Sequence, residues 1–222
     1  MQIASFAAAL FLSLATLAAS ASASVISFST RAYTGGALGS AAAYNSTIDT
    51  LMAQAPTAGY GDTTLASATR MGNNAVFGGP QRNIAFLTTI QFDLGLTAPV
   101  SFSVRGGPDF GLGGFLSLDG QTLAWKSTDM WWSGSYGNAS QTLTAQTTLS
   151  TGAHVLKLAG LENCCDGGSQ LQFRIGTGAW TTFAENDGLA VPSANSNVDV
   201  PEPASFALLG AALVALAARR RR

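Results

Sequence analysis

From Ile84 the chain alternates apolar and polar positions with a period of two. Ile84, Phe86, Ile90, Phe92 and Leu94 fall on one face, with Thr88 the single polar residue among them. Such alternation is the pattern of a strand with one buried face. Val100, Phe102 and Val104 alternate with Ser101, Ser103 and Arg105, and Leu171, Phe173 and Ile175 alternate with Gln170, Gln172 and Arg174. Leu116 and Leu118 lead into Asp119-Gly120, a dipeptide suited to a two-residue hairpin turn, and Leu123 and Trp125 continue beyond it. Leu143 and the run Val155, Leu156, Leu158 predict two more strands, and Val25 to Thr30 predict a first one. Gly176-Thr177-Gly178 turns the chain towards Trp180 and Phe183. Short strands separated by glycine turns predict a mainly β fold, an antiparallel β-sandwich.

One stretch follows the helical period instead. Tyr44, Ile48, Leu51 and Met52 recur at helical spacing, Ser40 is a suitable N-cap, and Pro56 stops the run. One short amphipathic helix packed on a sheet is therefore expected. The Gly/Thr/Asn-rich stretch up to Pro80 has little periodicity, and residues 185–200 lose the strand pattern, as a linker would.

Both ends of the chain are apolar. Phe6 to Ala19 is followed by Ala21-Ser22-Ala23, which fits an A-x-A cleavage site, so residues 1–23 read as a signal peptide although no Lys or Arg precedes the apolar stretch. That leaves an exported domain over 24–184, the linker over 185–200 and a final segment over 201–222. In that segment Pro201 and Pro203 hold Glu202 extended, because each fixes its own φ and disfavours helix in the residue before it. The fifteen residues Ala204 to Ala218 span roughly 22 Å as a helix, against roughly 30 Å for a bilayer core. They are expected to form a short transmembrane helix in the inner membrane. Arg219, Arg220, Arg221 and Arg222 lie beyond it, which puts the C-terminus in the cytoplasm and the domain outside.

Charge narrows the partners. Residues 24–200 hold seven Lys/Arg against eleven Asp/Glu, a formal charge of −4. That balance argues against a nucleic-acid-binding surface, which needs clustered positive charge. Enzyme signatures are missing as well: there is no G-x-S-x-G elbow, H-E-x-x-H helix or Walker loop, and His154 stands alone in a strand-like run. No catalytic residue is assigned.

Cys164 and Cys165 are the two cysteines of the chain, in an exported and therefore oxidising setting. Adjacent residues have Cα atoms about 3.8 Å apart, below the usual disulfide window of about 4.4–6.8 Å. A bond between them would close a small, stiff and rather apolar ring. That vicinal bridge is the favoured reading; two thiols, a mixed disulfide and an intermolecular bond are the alternatives. Trp125, Trp131, Trp132, Tyr136 and Trp180 are candidates for stacking on a sugar ring, with Trp180 assigned to the core. Trp131 and Trp132, if extended, point to opposite faces. Asp109, Asp119, Asp129, Glu162 and Asp166 are oxygen donors of the kind calcium uses, though turns and loop caps account for them more simply. Trp131, Trp132, Asp109 and Asp166 are the candidate ligand-binding residues.

The ordered trio of proline-bracketed Glu202, short apolar helix and terminal arginines resembles the bacterial PEP-CTERM sorting signal. The resemblance implies recognition near Pro201, Glu202 and Pro203 by a membrane-embedded exosortase, and a final place in the cell envelope or outside the cell. Around the cysteines, Gly160 to Gly167, together with Gly106 to Phe115, Leu118-Asp119-Gly120 and Asp129 to Trp132, resembles the CCXG family of PEP-CTERM proteins. Leu118-Asp119-Gly120 and Gly152 to Leu158 also resemble protective-antigen-type and flocculin-type sandwiches, which implies carbohydrate binding. In flocculin-like members two adjacent aspartates help hold calcium; here Asp109 follows Pro108, a departure from that pattern. The function expected is an envelope or extracellular-matrix component that binds polysaccharide or supports adhesion. The alternatives are a structural surface passenger and a carboxylate-based glycan hydrolase.

Overall fold

A computed structural model of the protein describes residues 24–189. The expected signal peptide, the sorting motif with its arginines and the 204–218 span lie outside the described residues. Among the described residues no helix is long and apolar enough to cross a membrane.

In chain order the elements are β1 (Val25–Ala32), α1 (Ala41–Met52), β2 (Asp62–Leu65), α2 (Asn73–Phe77), β3 (Ile84–Leu94), β4 (Val100–Gly107), β5 (Asp109–Phe110), β6 (Gly114–Leu118), β7 (Gln121–Lys126), β8 (Met130–Trp131), β9 (Leu143–Leu149), β10 (Gly152–Glu162), β11 (Gln170–Ile175) and β12 (Thr181–Thr182). They form a six-stranded sheet in the order β2-β1-β3-β10-β6-β7, a four-stranded sheet in the order β12-β11-β4-β9, and a two-stranded ribbon of β5 and β8. Each of these pairings is antiparallel. The fold is the mainly β sandwich that the alternation predicts.

The period-two pattern sets which faces meet. Ile84, Phe86, Ile90, Phe92 and Leu94 of β3 pack against Phe102 and Val104 of β4 and Leu171 and Phe173 of β11. Phe92 of the large sheet stacks on Phe102 of the small one at 5.5 Å, and Phe102 stacks in turn on Phe173 of its own sheet at 5.9 Å. Thr88, the polar residue of the β3 face, is buried and turns its hydroxyl to the Met71 sulfur at 3.6 Å. Val155 lies on the opposite face of β10 from Leu156 and Leu158 and remains exposed. At the β6–β7 turn both Asp119 and Gly120 have positive φ, 50° and 80°, the handedness that a two-residue hairpin demands.

Helix α1 covers the other face of the large sheet. Its Ser40 N-cap accepts the Ala43 amide at 3.2 Å. Tyr44 and Ile48 are fully buried against Ala85, Phe115, Ala159 and Leu161. The second helix, α2, falls in the stretch that lacks periodicity in sequence. The folded domain also continues past the expected boundary at 184. Glu185 donates its amide to Ala66 at 2.9 Å, Asp187 accepts from Ser24 and from the amides of Ala184 and Leu189, and Leu189 is buried. Residues 185–189, expected as the start of the linker, are therefore tied to the domain through Ala66 and Ser24.

Candidate functional site

Phe110 is the anchor of the site. Gly114 of β6 and Gly160 of β10 face each other in register, and the Phe110 ring lies where both would otherwise carry side chains. It also stacks on Phe86 at 5.4 Å. Seating this ring fixes its neighbour Asp109, which is 7% exposed, directly opposite Trp131 across the β5–β8 ribbon. Trp131 is 67% exposed, the most exposed large apolar side chain among the described residues.

The adjacent Trp132 goes the other way. Its indole covers Gly107, packs at a tilt against Tyr136 with centroids 5.4 Å apart, and leaves its Nε1 buried without a partner. Tyr136 in turn lies 3.9 Å from the Arg105 guanidinium, and Trp180 lies 4.1 Å from the same group. Arg105 is further held by Gln172 at 2.6 and 2.8 Å. Trp180 is thus not a core residue. It is half-buried on the outer face of the four-stranded sheet, because the β-alternation that buries Val104 and Phe173 turns Arg105 and Arg174 outward for it to cover. This aromatic and guanidinium stack clamps the loop that follows Trp131.

Glu162 closes the floor. It is 1% exposed, and its two carboxylate oxygens accept the Gly111 amide and the Cys164 amide, each at 2.6 Å. Gly111 has to be glycine here, since a Cβ would stand 2.6 Å from the Glu162 oxygen. Cys164 and Cys165 are joined by a disulfide, and both are exposed. Together Asp109, Asp129, Trp131, Glu162, Cys164 and Cys165 line a cleft of about 220 Å³. Asp166 does not belong to it: its carboxylate is buried and accepts the Asn74 amide at 2.8 Å.

These carboxylates are held off their ordinary ionisation. Burial pushes Asp109 up to about 7, the charge of Glu162 adds to the effect, and an amide bond from Gly167 opposes it. Burial also raises Glu162 and Asp166, against the amides of Cys164 and Gly111 for the first and Asn74 for the second.

Of the five carboxylates that could serve calcium, Asp109, Asp129 and Glu162 share the cleft, while Asp119 and Asp166 are engaged elsewhere. Asp119 is 2.8 Å from His154 Nδ1 and also accepts the Val155 amide at 2.8 Å. Glu162 and Asp166 turn oxygens to backbone amides. Among the described residues no group of three or more His, Cys, Asp or Glu side chains is placed to hold a metal. Trp125 is 41% exposed and contacts Tyr44 at 6.5 Å, on the edge strand β7 rather than in the cleft. In sequence Glu162 stands out only as an oxygen donor for calcium, not as a ligand-binding residue, and the Gly114–Gly160 seat carries no signal at all. The signal for Glu162 is a carboxylate at the end of the apolar run Leu158 to Leu161.

Residues 199–222 match the PEP-CTERM protein-sorting motif. The chain thus carries a signal for export and membrane-anchored sorting to the cell envelope. The match does not reach Cys164 to Gly167. No curated protein matches the chain. Among solved structures it is similar to the PA14 sugar-binding domain from an RTX adhesin, at 17% identity over 77% of this chain and 99% of that one, with a TM-score of 0.49. The PA14 domain of the MpAFP antifreeze protein is 13% identical over 86% of this chain and 96% of that one, with a TM-score of 0.48. The Epithelial Adhesin 6 A domain from Candida glabrata, in complex with Galb1-3GlcNAc, is 10% identical over 77% and 88%, with a TM-score of 0.44.

Proposed function

We propose that the protein is an envelope or extracellular-matrix component, delivered by an exosortase that reads Pro201, Glu202 and Pro203, whose domain binds a glycan in the Asp109–Trp131 cleft. During sorting the 204–218 helix sits in the inner membrane with Arg219 to Arg222 on the cytoplasmic side. The observation that supports binding most directly is the position of Trp131. A tryptophan 67% exposed leaves a wide apolar face in water, and it does so at the mouth of a cleft whose floor is polar. A pyranose presents both surfaces at once. Its C–H face stacks on the indole, its hydroxyls donate to Asp109 and Asp129, and the disulfide supplies a second apolar wall. Both Glu162 oxygens are engaged by backbone amides, which supports binding without turnover over a hydrolase.

A displayed passenger without a small ligand is the competing reading, supported by Glu162 and Asp166 being spent on the fold. Retention of the full chain on a panel of extracellular polysaccharides separates the two. Trp131→Ala is expected to abolish retention and Trp125→Ala to leave it intact. No retention on any glycan, or equal loss in both variants, rejects the cleft as the glycan site.

A further inference from the structure

We infer that the Cys164–Cys165 bond is a reversible redox site that shapes the wall of the cleft it shares with Trp131, so that a dithiol reductant opens the cleft and reoxidation restores it. Only the binding arm of the test below rests on the glycan reading.

Three observations carry this. First, both cysteines are exposed at a cleft, where an attacking thiolate can reach a sulfur. Second, the chain on either side is tied down. Glu162 holds the Cys164 and Gly111 amides, while Asp166 holds the Asn74 amide and donates its own to Gln81 at 2.9 Å. Any rearrangement on reduction is therefore confined to the short segment that lines the cleft. Third, Cys165 has φ +76°, a left-handed conformation that side-chain-bearing residues rarely adopt. The covalent ring holds it there. Once the ring is opened, Cys165 is free to return to negative φ, which moves the cysteine wall relative to Trp131, whose own strand stays clamped by Trp132 over Gly107.

The chemistry balances with a dithiol as the reductant. Its thiolate attacks one cysteine sulfur, the other sulfur leaves and takes a proton, and a mixed disulfide forms. The second thiol of the reductant then attacks the mixed disulfide, which frees the remaining cysteine as a thiol and closes the reductant into a disulfide. Two electrons and two protons pass to the cysteine pair.

The test uses the full chain purified without reductant, then treated with dithiothreitol and reoxidised. Alkylation with mass measurement establishes the state of the pair. Fluorescence of Trp131, isolated by subtracting the Trp131→Phe variant, is expected to change on reduction and recover on reoxidation, with the cooperative unfolding transition retained. Retention on a bound polysaccharide is expected to fall on the order of fivefold or more in the reduced form, the scale of one lost stacking contact. The Cys164→Ser/Cys165→Ser variant should behave as the reduced protein. If it does not fold, the reduced wild type supplies the same comparison. Two free thiols in the untreated protein, or identical Trp131 emission in both states, overturns the inference, as does equal retention in both states. If neither state retains any glycan, the glycan reading fails while the Trp131 signal alone decides the redox site.

Discussion

The carboxylate of Asp166 accepts the backbone amide of Asn74 at 2.8 Å across 92 positions of sequence. Helix α2 starts after Gly72, which has no side chain to cap it, so Asp166 serves as the cap from another part of the chain. Gly72 is itself required by that contact, since a Cβ would lie 2.8 Å from the Asp166 oxygen. Asp166→Ala is expected to cost about 1–2 kcal/mol in urea unfolding, the scale of a lost N-cap, and Asp166→Asn less. Amide exchange should accelerate over Asn73–Phe77 in the alanine variant.

Asp109 makes stability depend on pH. Its carboxyl is raised from 3.8 to about 7 in the folded protein, chiefly by burial. Between those values the folded state keeps a proton that the unfolded chain has released, so stability falls as pH rises from about 4 to about 7 and levels off above that. The raised Glu162 and Asp166 act in the same direction. Asp109→Asn is expected to flatten the upper part of this slope and to be more stable than wild type at pH 8. Urea titrations between pH 4 and pH 8 check it, and an unchanged slope counts against the raised carboxyl.

Gly107 carries the Trp132 indole directly on its backbone, with no room for a Cβ. Gly107→Ala should push the ring off the strand and cost about 1–3 kcal/mol, the range for overpacking. Because Trp132 follows Trp131, the same variant should weaken glycan retention. A loss of stability in thermal melts with full retention would show that the two tryptophans are uncoupled.

Glu202 tests the sorting signal by itself. Glu202→Ala leaves the apolar run 204–218 and the arginines unchanged, and is expected to leave the tail uncleaved and the protein held in the membrane fraction. Processing and location identical to wild type would mean that the proline-bracketed glutamate is not what the sorting enzyme reads.

Much of the sandwich is legible along the chain because strand periodicity is local. Phe86, Phe92, Phe102 and Phe173 each take the core side that their neighbours' alternation assigns, and Ser40 and Asp119-Gly120 mark the helix start and the hairpin within a few residues. The sorting motif is legible for the same reason, being a contiguous run of prolines, apolar residues and arginines. Helix α2 is not, since its N-cap comes from Asp166, and neither is the end of the domain, since Asp187 acts on Ser24. The fates of Trp131, Trp132 and Trp180 were also settled only in three dimensions. Sequence alternation alone assigns the first two to opposite faces, but which face meets solvent depends on Gly107 lying beneath one indole and Asp109 opposite the other. The acidity of Asp109 was decided the same way. Its burial close to Glu162 and Gly167 is a relation between segments that only the fold brings together, and it is this proximity, not residue type, that shifts a proton.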